Sequence, residues 1–384
     1  MIRVAWLGYS FLGRQASGTA QVSRKILSFL LNEKSNEVQI TILLKNSHEK
    51  KLLAEDSQFS KCSWELLPNV KGRFLRSSRQ YYKYCYQKRD KTYDLLHFSV
   101  PRLYPLFWLF PAKKFVCIFH AGGEISVPPD KFILSRHVYN ILMKIQWKKL
   151  NAIYAVSEFG RQEICTYYRI PISRITVITP GVDNLWGLPE KPVNGLDSVK
   201  DSILIIGRWQ KYKNVHTVLD SIRTSTNEVL ANTPIILLGK SNLLGKNLVK
   251  KSVDSFISGG RKLSILEYVE DAQLKYLFSN VKLVIHPSLN EGFGIPAFEA
   301  FSEGAILLVH KGTPASQYLS KHDGLMTCNM LDSQDIQSSI LSCLANPRRN
   351  KMQRVESLKE LGMTWWDFGS QVYKSYVEIL LPTH

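Results

Sequence analysis

Short apolar runs alternate with amphipathic stretches over most of the chain, and nearly every run closes on small or polar residues. Residues 2–10, IRVAWLGYS, read as a buried strand closed by a Gly-containing turn. After it, Val22, Ile26, Leu27, Phe29 and Leu30 recur at helical spacing. Gly18 lies just ahead of them, where a strand-to-helix turn brings backbone close to a ligand. VQITILLK is the next strand, and YDLLHFSV, FVCIFH, NAIYAV and ITVITP follow as further apolar runs. Residues 184–200 interrupt the rhythm: Gly187, Pro189, Pro192 and Gly195 fall in a stretch with little periodicity, as in a linker. The pattern restarts with DSILIIGRW, TPIILLGK, LSILEYV, VKLVIHPS and GAILLVHKG, separated by helical spacing near residues 215–222, 244–257 and 271–279. The tail, TWWDFGSQVYKSYVEILL, reads as one last amphipathic helix rich in aromatic residues. Strands alternating with helices predict an α/β fold of two doubly wound, Rossmann-like domains. The expected boundaries are residues 1–183, a linker at 184–200 and residues 201–363, with 364–384 as the closing helix.

At 384 residues the chain is long enough for two cores, and 45% apolar with 21% charged residues is the composition of a soluble globular protein. The start, MIRVAWLGYSF, lacks the basic region and long apolar core of a secretory signal. The most apolar stretch, residues 103–119, is broken by Pro105, Pro111 and the pair Lys113–Lys114, so no membrane span is expected. Six cysteines without CxxC spacing point to free thiols in a reducing compartment, hence to the cytoplasm.

The net charge of +18 changes the picture, because it is unevenly placed. Residues 1–200 hold 30 Lys and Arg against 15 Asp and Glu, whereas residues 201–384 hold 20 against 17. The N-terminal half therefore calls for a large anionic partner. In its densest segment, residues 71–91, Arg73, Arg76, Arg79, Lys83, Lys88 and Arg89 are interleaved with Phe74, Tyr81, Tyr82, Tyr84 and Tyr86. Such a mixture suits the interface of an anionic bilayer. It also suits a single-stranded nucleic acid through base stacking, the disfavoured partner here. A solvated helix with its tyrosines packed inward is the plain alternative.

The richest chemistry lies in residues 283–300, LVIHPSLNEGFGIPAFEA. An apolar strand leads into a turn-rich loop and then a helix opening at Pro296, which lacks the N–H that a first turn leaves unpaired. Glu291 and Glu299 stand at the ends of the loop and the first helical turns, with Gly292 and Gly294 around Phe293. Small residues let backbone approach a ligand, and a helix N-terminus favours an anion. The arrangement suits a phosphate-linked sugar. Earlier, Arg208 ends a strand and Lys213 follows in the next loop, two cations fit to neutralise a diphosphate. His120 also ends a strand and is followed by Gly122 and Gly123. In open α/β sheets, ligands bind at that edge. There is no D-x-D triplet and no spacing of metal ligands, so no metal and no cofactor is expected.

Arg208 and Lys213, followed by HPSLNEGFGIPAFEA with its E-x7-E spacing, resemble the retaining GT-B glycosyltransferases of family 4, the glycosyl transferases group 1. The resemblance extends to SGTAQVSRKIL, IYAVSEFGRQEI, ITVITPGVD and the TWWDF tail. It implies a GT-B fold: two Rossmann-like domains facing a central cleft, with the C-terminal helix crossing back to the N-terminal domain. It implies Glu291 on the donor sugar's hydroxyls and Glu299 on the nucleotide's ribose. Backbone at Gly292, Phe293, Gly294 and Ile295 would face sugar and diphosphate, Arg208 and Lys213 the diphosphate, Gly18 the donor, and His120 the sugar and acceptor. The chain departs from the pattern at Asn214, where glycine is usual, and at the Ala-Gly-Gly after His120. KGTPASQYL also lacks a Glu after its proline. The last two bear on acceptor and donor choice.

The expected reaction is metal-independent transfer of a hexosyl group, mannosyl slightly favoured, from a GDP- or UDP-linked donor to a glycan or lipid-linked acceptor of a bacterial surface polysaccharide. The cations would stabilise the departing diphosphate. The basic N-terminal half, with Arg73, Arg76, Arg79, Lys83, Lys88 and Arg89, would dock on the inner face of the plasma membrane. Two other classes stay open: a non-catalytic GT-B scaffold that binds nucleic acid or partners through the basic face, and a GT-B nucleotide-sugar epimerase, which needs no acceptor.

Overall fold

The computed structural model describes residues 1–7, 18–59, 62–70, 76–90, 92–120, 134–196, 198–239, 246–345 and 351–381. The chain forms two compact units. The first takes residues up to 120, residues 134–180 and the C-terminal helix; the second takes Gly181–Thr364.

In the first unit the strands are β1 (Ile2–Leu7), β2 (Val38–Leu44), β3 (Ser63–Leu66), β4 (Tyr93–Phe98), β5 (Ala112–Phe119), β6 (Ala152–Ala155) and β7 (Ile175–Val177). They form one parallel sheet in the order β3-β2-β1-β4-β5-β6-β7. Val4 pairs with Ile40 on one side and Leu95 on the other, and β1 is buried from Val4 to Leu7, which explains the apolar run there. Between strands come α1 (Gly18–Asn32), α2 (Ser47–Ala54), α3 (Arg76–Gln87), α4 (Leu134–Gln146) and α5 (Glu158–Tyr168). The edge strand β3 carries the exposed Trp64 and Leu66 and a polar register, so the apolar pattern does not reveal it.

The second unit repeats the plan with β8 (Ile203–Ile206), β9 (Ile235–Leu238), β10 (Leu263–Leu266), β11 (Leu283–His286), β12 (Leu307–His310) and β13 (Leu325–Cys328). Their order is β10-β9-β8-β11-β12-β13, again parallel. The helices are α6 (Val215–Thr224), α7 (Glu228–Asn232), α8 (Lys246–Ser258), α9 (Asp271–Asn280), α10 (Ile295–Ser302), α11 (Pro314–Tyr318), α12 (Ser333–Leu344) and α13 (Lys351–Glu360). Ile203, Ile205, Leu237, Ile285 and Leu308 join Val218, Phe256 and Ile340 in one hydrophobic core. The segment expected to be a linker is pinned to α9. Lys191 N–H donates to Ala272 O at 3.1 Å, Asn280 Nδ2 donates to Glu190 at 3.1 Å, and the buried Lys275 donates to Leu188 O.

The C-terminal helix α14 (Trp365–Leu380) belongs to the first unit and packs on α1. A Cβ on Gly369 would stand 2.3 Å from Phe29 Cγ, so glycine is what lets these helices touch. Tyr376 on α14 and the fully buried His97 of β4 share a 2.5 Å hydrogen bond through Nδ1, and the imidazole stacks on Trp6 at 4.0 Å. Burial, and next the nearby His120 charge, push the His97 pKa from 6.5 down to about 3. The unfolded chain therefore takes up a proton that the folded one refuses as pH falls below 6.5. This histidine costs no stability above that point and progressively more below it. Between about pH 6.5 and about pH 5 the expected loss from this one group is about 2 kcal/mol. Urea titrations at both pH values should show a smaller acid penalty, by that amount, in His97→Gln.

Candidate active site

The site grows from the C-terminal ends of β8 and β11, which are neighbours in the sheet. At the end of β8 the chain passes Gly207 and Gly239 in near contact: a Cβ on Gly239 would stand 2.0 Å from Gly207 O. That approach leaves room only for glycine and sets the direction in which Arg208 leaves the sheet. The Arg208 side chain is exposed and makes no hydrogen bond or ion pair among the described residues, while its carbonyl accepts from Gln210 N–H at 2.7 Å. A 3-10 turn, Lys211–Lys213, then brings the chain to Asn214.

Asn214 adopts the left-handed conformation, φ 55°. Asparagine is among the few side chains that take this region readily. The buried amide is also fully used: Nδ2 donates to Met330 O at 2.6 Å and Oδ1 accepts from Thr217 Oγ1 at 2.7 Å. Asparagine thus does the work of the glycine usual here and adds a tie to the segment after β13. Asn214→Ala should cost about 2 kcal/mol, and Asn214→Gly about half, because glycine keeps the backbone and loses only the hydrogen bonds. Denaturant midpoints of the two variants check the ratio.

Beyond β11 the loop returns to this turn, since Leu289 N–H donates to Tyr212 O at 2.9 Å. Lys213 and Glu291 meet as a result, with Lys213 Nζ donating to Glu291 Oε1. His286, the last residue of β11, puts Nε2 3.2 Å from the same oxygen. All three side chains are mostly buried, at 15% exposure for Lys213, 13% for Glu291 and 6% for His286. Burial alone would raise the Glu291 pKa. The Lys213 charge, then the hydrogen bond and charge from His286, outweigh it and hold the carboxyl well below the usual range. Glu291 therefore stays a carboxylate throughout mildly acidic conditions, and its share of stability is lost only on strong acidification.

Gly294 closes the loop with φ 89°, a conformation that disfavours any side chain, and caps α10. The helix begins at Ile295, one residue before Pro296, which occupies one of the positions whose N–H has no partner within a helix. Phe293 turns its ring inward, stacked on Phe298 at 4.3 Å, so backbone rather than side chain is what this residue offers a ligand. Glu299 is 4% exposed and accepts a 2.8 Å hydrogen bond from Asn184 Nδ2. Arg354 holds the far end of α10, donating to Phe301 O and Ala305 O at 3.0 and 2.7 Å, where a cation also suits the helix dipole. Arg208, Lys213, Glu291, Gly292, Gly294 and Glu299 thus gather in the second unit. His286, Asn184 and Gly239 join them unannounced. His286 carried one readable signal, a titratable residue at a strand end beside an acidic loop; Asn184 carried none.

His120 and Gly18 belong to the first unit. His120 follows β5 and its Nε2 lies 2.9 Å from Ser99 O, while Ser99 N–H donates to Leu7 O at 3.1 Å, which ties the ends of β5, β4 and β1 together. Gly18 opens α1, and among the described residues nothing lies within 4 Å of where a Cβ would stand. On α3, Arg76, Arg79, Lys83 and, just beyond it, Lys88 and Arg89 are exposed, whereas Tyr81 and Tyr84 are buried against Phe110. Tyr81 and Tyr84 share the inward face of α3, while Tyr86 on the other face is exposed. Arg73 lies outside the described residues. No helix among them is long and apolar enough to cross a membrane.

Two doubly wound parallel-sheet units, one carrying Arg208, Lys213 and Glu291 near the C-terminal ends of its strands, place the chain among the open-sheet α/β proteins. Residues 189–358 match the sequence model of the glycosyl transferases group 1 and residues 48–184 that of Glycosyltransferase Family 4. The chain belongs to the GT-B glycosyltransferases of this family. The serotype-specific mannosyltransferase WbdA of Escherichia coli is 24% identical over 228 residues, and the match spans 58% of this chain but only 28% of that protein. The O-antigen chain mannosyltransferase RfbU of Salmonella typhimurium is 24% identical over 265 residues, 62% of this chain and 71% of that protein. Among solved structures, Anabaena Alr3699/HepE in complex with UDP and glucose has a TM-score of 0.65 at 16% identity, covering 99% of this chain and 97% of that one. That likeness concerns the fold.

Proposed function

We propose that this protein is a retaining, metal-independent hexosyltransferase of surface polysaccharide synthesis. It moves a sugar, mannose slightly favoured, from a nucleotide-sugar to a glycan or lipid-linked acceptor. The observation that carries the reading is the cluster of Lys213, Glu291 and His286, with Arg208 exposed at the end of the neighbouring strand β8. The departing diphosphate develops negative charge, and Arg208, Lys213 and the N-terminus of α10 supply fixed positive potential to meet it. Glu291, held as a carboxylate, accepts hydrogen bonds from sugar hydroxyls, and Glu299 those of the ribose. Neither acts as a covalent nucleophile if the acceptor attacks on the leaving-group side. Support for a mannosyl donor comes from the named relatives, both mannosyltransferases. For metal independence, support comes from the cation pair, Arg208 and Lys213, which can carry the diphosphate's charge.

The test is direct. Purified protein is incubated with GDP-mannose or UDP-glucose and a lipid-linked oligosaccharide, with and without chelator, and the product linkage is read by NMR. Transfer with retained anomeric configuration, unaffected by chelator, is expected. Binding of nucleotide without transfer to any acceptor would favour a scaffold, and isomerised donor would favour an epimerase.

The partner surface we favour is an anionic membrane. The cations of α3 face solvent, and on α4 the exposed Val138, Ile141 and Ile145 form a stripe next to Lys144, Lys148 and Lys149. Residues 131–157 contain no acid. An apolar stripe bordered by cations suits an anionic bilayer. With the α3 tyrosines Tyr81 and Tyr84 buried, the stacking platform that a nucleic acid would need is largely withdrawn. Flotation with anionic liposomes, weakened by salt, is the expected result; equal flotation with neutral liposomes would remove the electrostatic part.

A further inference from the structure

Lys213 carries a single ammonium, and Glu291 holds it. The transfer reaction needs that same ammonium on the donor's diphosphate. Resting on the glycosyltransferase reading, we propose that donor binding is an exchange of partners. Lys213 leaves Glu291 for the diphosphate, and His286 is the positioning residue that keeps Glu291 charged and aimed once the lysine has gone.

The three groups are built unequally. Lys213 ends a 3-10 turn on a flexible four-carbon stem, and its ammonium also lies 5.0 Å from the Tyr212 ring, a second resting place. His286 sits on the rigid end of β11 and shares with Lys213 the single carboxylate oxygen Oε1. Gly294 runs alongside both groups: a Cβ there would stand 3.6 Å from His286 Cε1 and 3.7 Å from Glu291 Cγ, ordinary contact distances that leave imidazole and carboxylate facing one another. A mostly buried carboxylate stripped of every donor is strongly unfavourable. Without His286, then, Glu291 would hold the lysine more tightly and resist the exchange. Among the described residues the Arg208 side chain is exposed and has no ion pair to give up, so it captures the diphosphate first, and Lys213 follows. The two cations act in sequence.

The experiment measures UDP binding, with GDP in parallel, by calorimetry in wild type, Glu291→Gln, His286→Leu, His286→Gln and the Glu291→Gln/His286→Leu double variant. Glu291→Gln frees Lys213, so the nucleotide should bind about three- to tenfold more tightly while transfer falls. His286→Leu should bind it about three- to tenfold more weakly, and His286→Gln, which keeps an N–H donor, should recover most of that loss. In the Glu291→Gln background the effect of His286→Leu should vanish, a coupling that a merely structural role would not produce. Unchanged or weaker nucleotide binding in Glu291→Gln overturns the exchange. An undiminished His286→Leu effect in the double variant overturns the positioning role. Wild-type protein that binds neither nucleotide and transfers no sugar removes the glycosyltransferase reading itself, and that outcome is read without any variant.

Discussion

Glu291→Ala is expected to lower sugar transfer by about a hundredfold or more, the scale on which removal of one preorganised polar group acts in a transition state. Its carboxylate is held ionised by Lys213 and His286, so the variant removes both the acceptor for the sugar hydroxyls and the anchor of two neighbours. The loss should fall mainly on kcat, since nucleotide contacts remain with Arg208 and the freed Lys213. Lys213→Ala should do comparable damage by a different route, through weaker diphosphate stabilisation, and should raise KM for the donor as well. Donor-saturation kinetics of the two variants separate these effects, with circular dichroism confirming the fold. Near-normal turnover in Glu291→Ala would remove this residue from the reaction. Because Glu291 stays charged in mild acid, the acid limb of the pH–rate profile should not belong to it.

The largest stability effect is expected from Gly239→Ala. A single methyl there would lie 2.0 Å from Gly207 O and 3.2 Å from Arg208 N, against backbone that has no freedom to turn aside. The end of β8 must move, at a cost of about 3 kcal/mol by analogy with overpacked cores. The movement should carry Arg208 out of line and reduce transfer at the same time. Gly18→Ala provides the contrast. Among the described residues nothing lies within 4 Å of its added Cβ, so stability should hold, and a fall in transfer at unchanged stability would report ligand approach. Urea denaturation and transfer assays on both variants decide between the two kinds of glycine.

Much of this was legible in one dimension because the fold is a repetition. Parallel strands buried on both faces read as near-continuous apolar runs, and β1, β2, β8, β9, β11 and β12 do, with polar residues such as Arg3, Gln39 and Thr41 confined to single positions. The edge strands β3 and β13 escaped notice because an edge needs less apolar surface: Trp64 and Leu66 are exposed, and LMTC is only half-buried. The basic, aromatic segment of residues 71–91 looked equally like a membrane face and a packed helix. Composition cannot say which side of a helix faces inward, and only the sheet beneath α3 decided that Tyr81 and Tyr84 turn in while the cations turn out.

The loop at residues 283–300 illustrates the same division. Its strand, its glycines and its two carboxylates are local, and local chemistry is written in local sequence. From the sequence alone came two Rossmann-like units, the ligand edge at the ends of their strands, and the candidate roles of Arg208, Lys213, Glu291 and Glu299. Tertiary structure decided the partners. Lys213 reaches Glu291 across 78 residues, and Asn184 reaches Glu299 across 115. Gly239 makes way for Gly207, and Asn214 replaces a glycine because Met330 O is there to receive its amide. Contacts of that range depend on the register of β8 beside β11, a property of the sheet and of no single stretch of chain.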